Sequence, residues 1–249
     1  MFDLEPASLV IMFAALAAGA VVKGATGMGL PLVALPVITA VFGLQHAVSV
    51  MAVVQIITNS MQLWQFRAEA RNERMHFLPL FLVAGVCGVL VGTWALSSLP
   101  ERVLVFSLGL LLLGYFALKL TAPDFVVSPR NARVFGPFAG FGSGALQGAT
   151  GISAPIGVTF IHAMGLERTA HLYAVSAMFL VLGLVQFPAL LLSGIMQPAW
   201  VAQSVLALIP IAIFMPLGQR LAGRLSRKAF DRLILVFLGA MGLKMVLGL

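Results

Sequence analysis

Apolar residues run along the chain in ten segments, which are separated by charged residues, glycines and prolines. The segments cover approximately residues 7–23, 28–42, 44–66, 77–98, 102–120, 134–149, 152–164, 169–193, 199–220 and 230–248. An α-helix needs about 20 residues to cross a hydrocarbon core of roughly 30 Å, and most of the segments are long enough. The pattern therefore predicts an all-α polytopic membrane protein.

Two of the segments, 28–42 and 152–164, are too short to span easily. Each follows a Gly-Ala-Thr-Gly tetrapeptide, at residues 24–27 and 148–151. Short hydrophobic segments with a glycine interruption, placed alike in two halves of a chain, indicate the binding site of a transporter. We therefore predict a broken or re-entrant helix at each tetrapeptide, near the bilayer midplane.

The tetrapeptides belong to an internal repeat. The proline that follows each of them recurs at the same spacing, since Pro31 matches Pro155. Each half holds about five segments, and an odd number of segments inverts the second half relative to the first. The prediction is a first repeat over 1–120, a cytoplasmic linker over 121–133 and a second, inverted repeat over 134–249.

The distribution of basic residues supports the inversion. The connection after the third segment carries three arginines, whereas its counterpart, 194–198, carries no basic residue; in the next pair, 99–102 carries only Arg102 and 220–232 carries five basic residues. Lys and Arg accumulate on the cytoplasmic side of a membrane. Equivalent connections are thus expected on opposite sides of a bacterial inner membrane, with both termini outside.

The composition indicates that the chain lies in a lipid bilayer, and it argues against several functions. Hydrophobic residues make up 61% of the 249 positions and charged residues 9%, whereas a soluble domain has roughly a quarter charged residues. The lipid bilayer is the expected partner, and the net charge of +7 orients the protein and does not indicate nucleic acid. No phosphate loop, nucleophile elbow or metal-ligand cluster is present, so no enzyme, cofactor or metal site is predicted; the oligomeric state is open.

The candidate site is predicted to bind a small anion. Free backbone N–H groups at the start of a helix attract anions, and each tetrapeptide break is expected to leave such groups on the half-helix that follows it, the two starts pointing from opposite directions. All eight acidic residues fall in tails or loops, which disfavours a cation. The predicted substrate-binding residues are Lys23, Gly24, Ala25, Thr26, Gly27, Gln147, Gly148, Ala149, Thr150, Gly151 and Ser153.

Alternative roles exist for these residues. Small residues are enriched at packed interfaces between membrane helices, and Lys23 could extend to the headgroups instead. The third segment also carries three amides at helical spacing, on one face, where bonding between helices is the commoner role. Second-rank cavity residues are Gln55, Asn59, Gln62, Tyr173 and Gln186.

The duplicated tetrapeptide with its following proline, in two halves of about 120 residues, resembles the TauE/SafE sulfite-exporter family of membrane permeases over essentially the whole chain. The resemblance implies transport of sulfite, sulfoacetate or a related organosulfonate, with the substrate region at the two tetrapeptides. Lys23 and Gln147 occupy equivalent places, so a charge would come from one half only. We expect a secondary transporter or facilitator working by alternating access; the alternatives are an anion channel and a non-transporting scaffold or enzyme subunit.

Overall fold

The computed structural model describes residues 6–121, 129–221 and 227–248, and the regular elements in these ranges are all helical. The α-helices are α1 Pro6–Thr26, α2 Leu30–Phe42, α3 Leu44–Gln65, α4 Leu78–Ser98, α5 Glu101–Thr121, α6 Pro129–Thr150, α7 Gly157–Ala163, α8 Arg168–Leu192, α9 Pro198–Leu221 and α10 Arg227–Leu247. Two short 3-10 helices, Arg67–Arg71 and Glu73–Phe77, connect α3 to α4.

The predicted all-α polytopic architecture is confirmed, and most helix ends fall within a few residues of the predicted segments. By length and composition, six helices of the described ranges could cross a membrane: α1, α3, α4, α5, α8 and α9. The exception is α7, which has only seven residues where a segment over 152–164 was predicted. Pro155 has no backbone N–H to donate, and the residues before α7 form turns instead of a helix.

Both predicted breaks are present, but the tetrapeptides end helices and do not begin them. In the first half, α1 ends at Thr26 and the next residue, Gly27, has a φ of 81°. This left-handed conformation is accessible to glycine without strain. The N–H of Gly27 donates to the carbonyl of Lys23 at 2.7 Å, which is a common way of closing a helix C-terminus.

The second tetrapeptide repeats this geometry. α6 ends at Thr150, Gly151 has a φ of 72°, and its N–H donates to the carbonyl of Gln147 at 2.8 Å. The following helices begin only at Leu30 and Gly157. The N–H groups of both closing glycines are thus used by the preceding helix, and an anion site at the starts of the following helices stays a prediction.

The helices pair in a pattern that is unchanged when the two halves are exchanged. α4 packs along α6 and α1 packs along α9, while α5 pairs with α10 and α3 with α8. Exchanging α1 to α5 with α6 to α10 converts the first pair into the second. Two interlocked five-helix repeats would pack in this way, and the repeat boundaries and their inversion stay predictions.

Glycines bring the backbones of α4 and α6 into contact. A Cβ atom on any of six glycines would overlap or crowd atoms of the facing helix, most of them backbone. The six are Gly85, Gly88, Gly92, Gly140, Gly144 and Gly148. Gly24 of α1 is packed in the same way against the carbonyl of Met215 in α9. For Gly24 and Gly148, the packing role considered from the sequence is thus observed.

The outer surface is apolar, as expected of a protein in lipid. Large side chains such as Trp94, Phe138 and Leu192 are 65%, 75% and 90% exposed. Exposed apolar surface on this scale marks contact with lipid or with another protein. The polar side chains described below lie instead in the interior.

Candidate substrate site at the two helix breaks

Lys23 is buried beside the first break and binds an amide of α3. Its side chain is 3% exposed, and its Nζ donates to Oδ1 of Asn59 at 2.7 Å. Asn59 is in turn fixed, because its Nδ2 donates to the carbonyl of Gln55 at 2.8 Å. Lys23 therefore points into the protein and not towards the headgroups, and its part in substrate binding stays a prediction.

Gln147 holds the equivalent place in the second half and joins two further amides. Its Nε2 donates to Oε1 of Gln55 at 3.2 Å and to Oε1 of Gln186 at 3.0 Å. Gln186 Nε2 donates back to the carbonyl of Gln147 at 2.8 Å, and Gln55 Nε2 donates to the carbonyl of Gly151 at 3.4 Å. The second break is thus bound directly to α3 of the first half.

These bonds form one buried network, defined here as Lys23, Gln55, Asn59, Gln147 and Gln186. It joins α1, α3, α6 and α8, and each side chain is at most 3% exposed. The network thus brings together Gln147 from the predicted substrate-binding residues with three of the second-rank residues, Gln55, Asn59 and Gln186. Tyr173 of α8 is half-buried against the hydrophobic core and is not one of the residues that the network joins.

The network contains one basic side chain and no acidic one. Among the described residues, no hydrogen bond or salt bridge connects Lys23 to a carboxylate. The carboxylates of Glu69 and Glu101 are bound elsewhere, to Asn72 and Thr169 and to the N–H of Leu44. A buried charge without a counter-ion is costly, so a protonated Lys23 favours a negatively charged ligand beside it.

Hydrogen-bonding capacity is also left over. Within the described ranges, Oε1 of Gln62, Oε1 of Gln147 and Oγ of Ser153 are buried and have no hydrogen-bond partner. Buried polar atoms are normally paired. An ammonium has three donors, and one Lys23 donor is used by Asn59. The site therefore offers both donors for an anion and acceptors for a bound water or a protonated ligand group.

The two threonine hydroxyls stabilise the breaks. Thr26 Oγ1 lies 2.9 Å from the carbonyl of Val22 and 2.6 Å from that of Met28, while Thr150 Oγ1 donates to Leu146 at 2.8 Å. Their hydroxyl protons are thus taken by backbone carbonyls. Ser153 keeps an unpaired hydroxyl, and a role of these three residues in substrate binding stays a prediction.

The remaining tetrapeptide residues line different surfaces. Ala25 is half-buried, and Ala149 packs against the core. Gly27 faces Leu172 of α8 and the Gln62 amide. Gly151 faces Leu35 of α2 and Val48 of α3. The closing glycine of each break is therefore covered by a side chain from the opposite half, Leu172 or Leu35.

Three contacts away from the network join the two halves of the chain, and none of them was predicted from the sequence. On one side, Arg74 Nη1 donates to the carbonyl of Gly165 at 3.0 Å and Thr169 Oγ1 donates to Glu69 at 2.6 Å. Elsewhere, the rings of His46 and Trp200 stack with centroids 4.8 Å apart. No sequence signal points to these pairs, because each joins segments more than 90 residues apart.

The connection between α3 and α4 thus lies against the start of α8. Since α3 also packs along α8, the two helices run antiparallel. The hydrogen bonds from Asn72 and Thr169 lower the pKa of Glu69 below its ordinary value, because they stabilise its carboxylate form.

Comparison with known proteins identifies the family. The family model described as Sulfite exporter TauE/SafE matches residues 11–245. The curated proteins and the solved structures give no match. With nearly the whole chain matched and six helices able to span, this multi-pass membrane protein belongs to the TauE/SafE sulfite exporter family.

Proposed function

We propose that the chain is a secondary transporter or facilitator that moves a small sulfur-containing anion across a bacterial inner membrane. Sulfite, sulfoacetate and related organosulfonates are the substrate candidates, because family membership implies a transporter of the sulfite-exporter type. The substrate would bind between the two breaks, at the buried network. The observation that carries the proposal is the burial of Lys23 among neutral amides.

Charge compensation gives the site its preference for an anion. A sulfonate or sulfite beside Lys23 would neutralise a charge that the described side chains leave unpaired, and its oxygens would accept the remaining Lys23 donors. If the amide side chains of the network rearranged, their N–H groups would donate hydrogen bonds to further oxygens of the substrate. A metal cation would meet a like charge there instead, and the described residues hold no cluster of three metal-ligating side chains.

Alternating access fits the closed state of the network. The five network side chains are shielded from water, so a substrate at this place could leave only after helices separate. In a two-repeat transporter, rocking of one repeat against the other opens a central site to each side in turn. The Arg74–Gly165 and His46–Trp200 contacts are the candidate closures, since each links elements of the two halves.

The test is transport by purified protein in liposomes, with Lys23→Gln compared against wild type. Sulfite, sulfoacetate, sulfate and acetate serve as probes, and Lys244→Gln is the matched control because Lys244 is an exposed lysine in the last turn of α10. We expect saturable uptake of sulfite or sulfoacetate that falls about 10- to 100-fold in Lys23→Gln, the loss corresponding to one hydrogen bond to a charged group. Lys244→Gln should transport normally.

Three outcomes would count against the proposal. Flux that does not saturate would indicate an anion channel. Binding of a divalent metal in preference to all four anions would remove the charge argument. Equal transport by wild type and Lys23→Gln would mean that the protein transports its substrate without using this network.

A further inference from the structure

A separate cavity opens at one end of the α4–α6 pair, away from the buried network. It has a volume of about 370 Å³. Its lining comes from the residues just before and at the start of α4 and from the first turns of α6. The lining residues are His76, Phe77, Leu80, Ala132, Arg133 and Pro137.

The cavity has a basic rim and an apolar floor. His76 and Arg133 are exposed, whereas Phe77 and Ala132 are buried. Among the described residues, no aspartate or glutamate lines the cavity, and Glu73 lies one 3-10 turn before His76 without lining it. An arginine fork and an imidazole N–H placed together are suited to a phosphate group, which arginine binds through two parallel hydrogen bonds.

The cavity borders the lipid-facing surface. Leu80 of its lining is 54% exposed, and Val134 and Phe138, which flank the lining residues Arg133 and Pro137 on α6, are 58% and 75% exposed. A free anion would use only the basic rim. A molecule with a negative headgroup and long apolar chains would use the rim and this apolar strip together. Basic pockets between membrane helices bind the headgroups of anionic lipids in this way.

We propose that this cavity binds an anionic phospholipid of the phosphatidylglycerol type, with its phosphate at Arg133 and His76 and its acyl chains along Leu80, Val134 and Phe138. The bound lipid bridges the start of α4 and the start of α6. Because the two helices pack through glycines along their length, the lipid stabilises the pair at its open end. This site does not depend on the proposed substrate.

The experiment measures lipid binding to the purified full chain in detergent, by native mass spectrometry and by the shift of the thermal unfolding midpoint. Dioleoyl phosphatidylglycerol is compared with dioleoyl phosphatidylethanolamine, which has the same chains without net charge, and with inorganic phosphate, which has the charge without chains. We expect phosphatidylglycerol to bind and stabilise most strongly, and Arg133→Gln to weaken its binding about ten-fold, as for the loss of a charge-assisted hydrogen bond.

His76→Gln is the second variant and should weaken binding by a smaller factor. Arg220→Gln is the control, because Arg220 is another exposed arginine at a helix end but does not line the cavity. Equal binding of the two phospholipids would overturn the proposal, as would competition by inorganic phosphate at similar concentration. A loss in Arg220→Gln as large as in Arg133→Gln would show non-specific attraction to surface charge and would overturn it as well.

Discussion

The two helix breaks share a backbone but differ in charge. Each ends a long helix with a threonine, closes it with a left-handed glycine and covers that glycine with a leucine from the opposite half. At the position four residues before the glycine, the first break has Lys23 and the second has Gln147. The backbone geometry is therefore duplicated, whereas the cation is present once.

This difference distinguishes the residues that fold the protein from the residue that would favour an anion in the proposed site. The glycines that close the breaks and those that pack α1 against α9 and α6 against α4 recur in both halves, because both halves need the same close helix contacts. A second lysine would place two like charges in one buried network, which is costly without two counter-ions. A single lysine among amides can pair with one anionic group of a ligand, such as one sulfonate or sulfite group.

The largest effect is expected from disrupting the close glycine packing of α6 against α4. A Cβ atom on Gly148 would lie 2.6 Å from the backbone nitrogen of Thr93, and backbone cannot move aside as a side chain can. Gly148→Leu should lower the free energy of unfolding by about 3 kcal/mol or prevent folding, as severe overpacking does. The measurement is unfolding in mixed detergent micelles.

Gly114→Leu provides the control for that substitution. Gly114 lies in α5 and has no heavy atom within 4 Å of a built Cβ, so the same added volume meets open space. Its free energy of unfolding should stay close to that of the wild type. If Gly148→Leu were as stable as Gly114→Leu, the close packing of α6 against α4 would not be needed for folding.

An exchange of the two side chains sharpens the comparison of charge. In the double variant Lys23→Gln, Gln147→Lys, the cation moves from Asn59 to the second break, beside the Gln55 and Gln186 amides of the same network. If one charge anywhere in the network suffices for an anion, sulfite or sulfoacetate flux should recover about ten-fold relative to Lys23→Gln alone, roughly one charge-assisted hydrogen bond.

The readout is initial uptake into proteoliposomes at matched protein density. Gln147→Lys alone carries two lysines and should transport less than wild type, since the two charges repel. A double variant as inactive as Lys23→Gln would mean that the Asn59 contact, and not the charge by itself, positions the substrate.

Local signals account for the parts of this molecule that could be predicted. Glycine, proline and charge mark helix ends, so the breaks after Thr26 and Thr150 followed from the tetrapeptides. The hydrogen bond that closes each helix did not follow, because a glycine can close a helix or precede one. The bond from the Gly27 N–H to the Lys23 carbonyl shows that Gly27 closes α1. The hydrogen bond between Lys23 and Asn59 depends on where the fold places α1 relative to α3, which a single sequence does not contain.

The smallest expected effect concerns the connections that follow α3 and α8. The first carries Glu69, whose carboxylate accepts hydrogen bonds from Asn72 at 2.9 Å and from Thr169 at 2.6 Å; its counterpart, 194–198, has no charged residue. Because the pKa of Glu69 is lowered in the folded protein, its stabilising contribution is present above the ordinary glutamate pKa and is lost as the pH falls through the lowered value.

Thermal unfolding midpoints should therefore decline as the pH falls through the acidic range in the wild type, and this decline should be shallower in Glu69→Gln. Thr169→Val should move the pKa of Glu69 back towards its ordinary value, which a titration of labelled glutamate by NMR would record. Glu73→Gln removes the same charge from the same connection and is the control. Equal pH dependence of stability in Glu69→Gln and wild type would show that the contact from the first half to the start of α8 does not depend on this carboxylate.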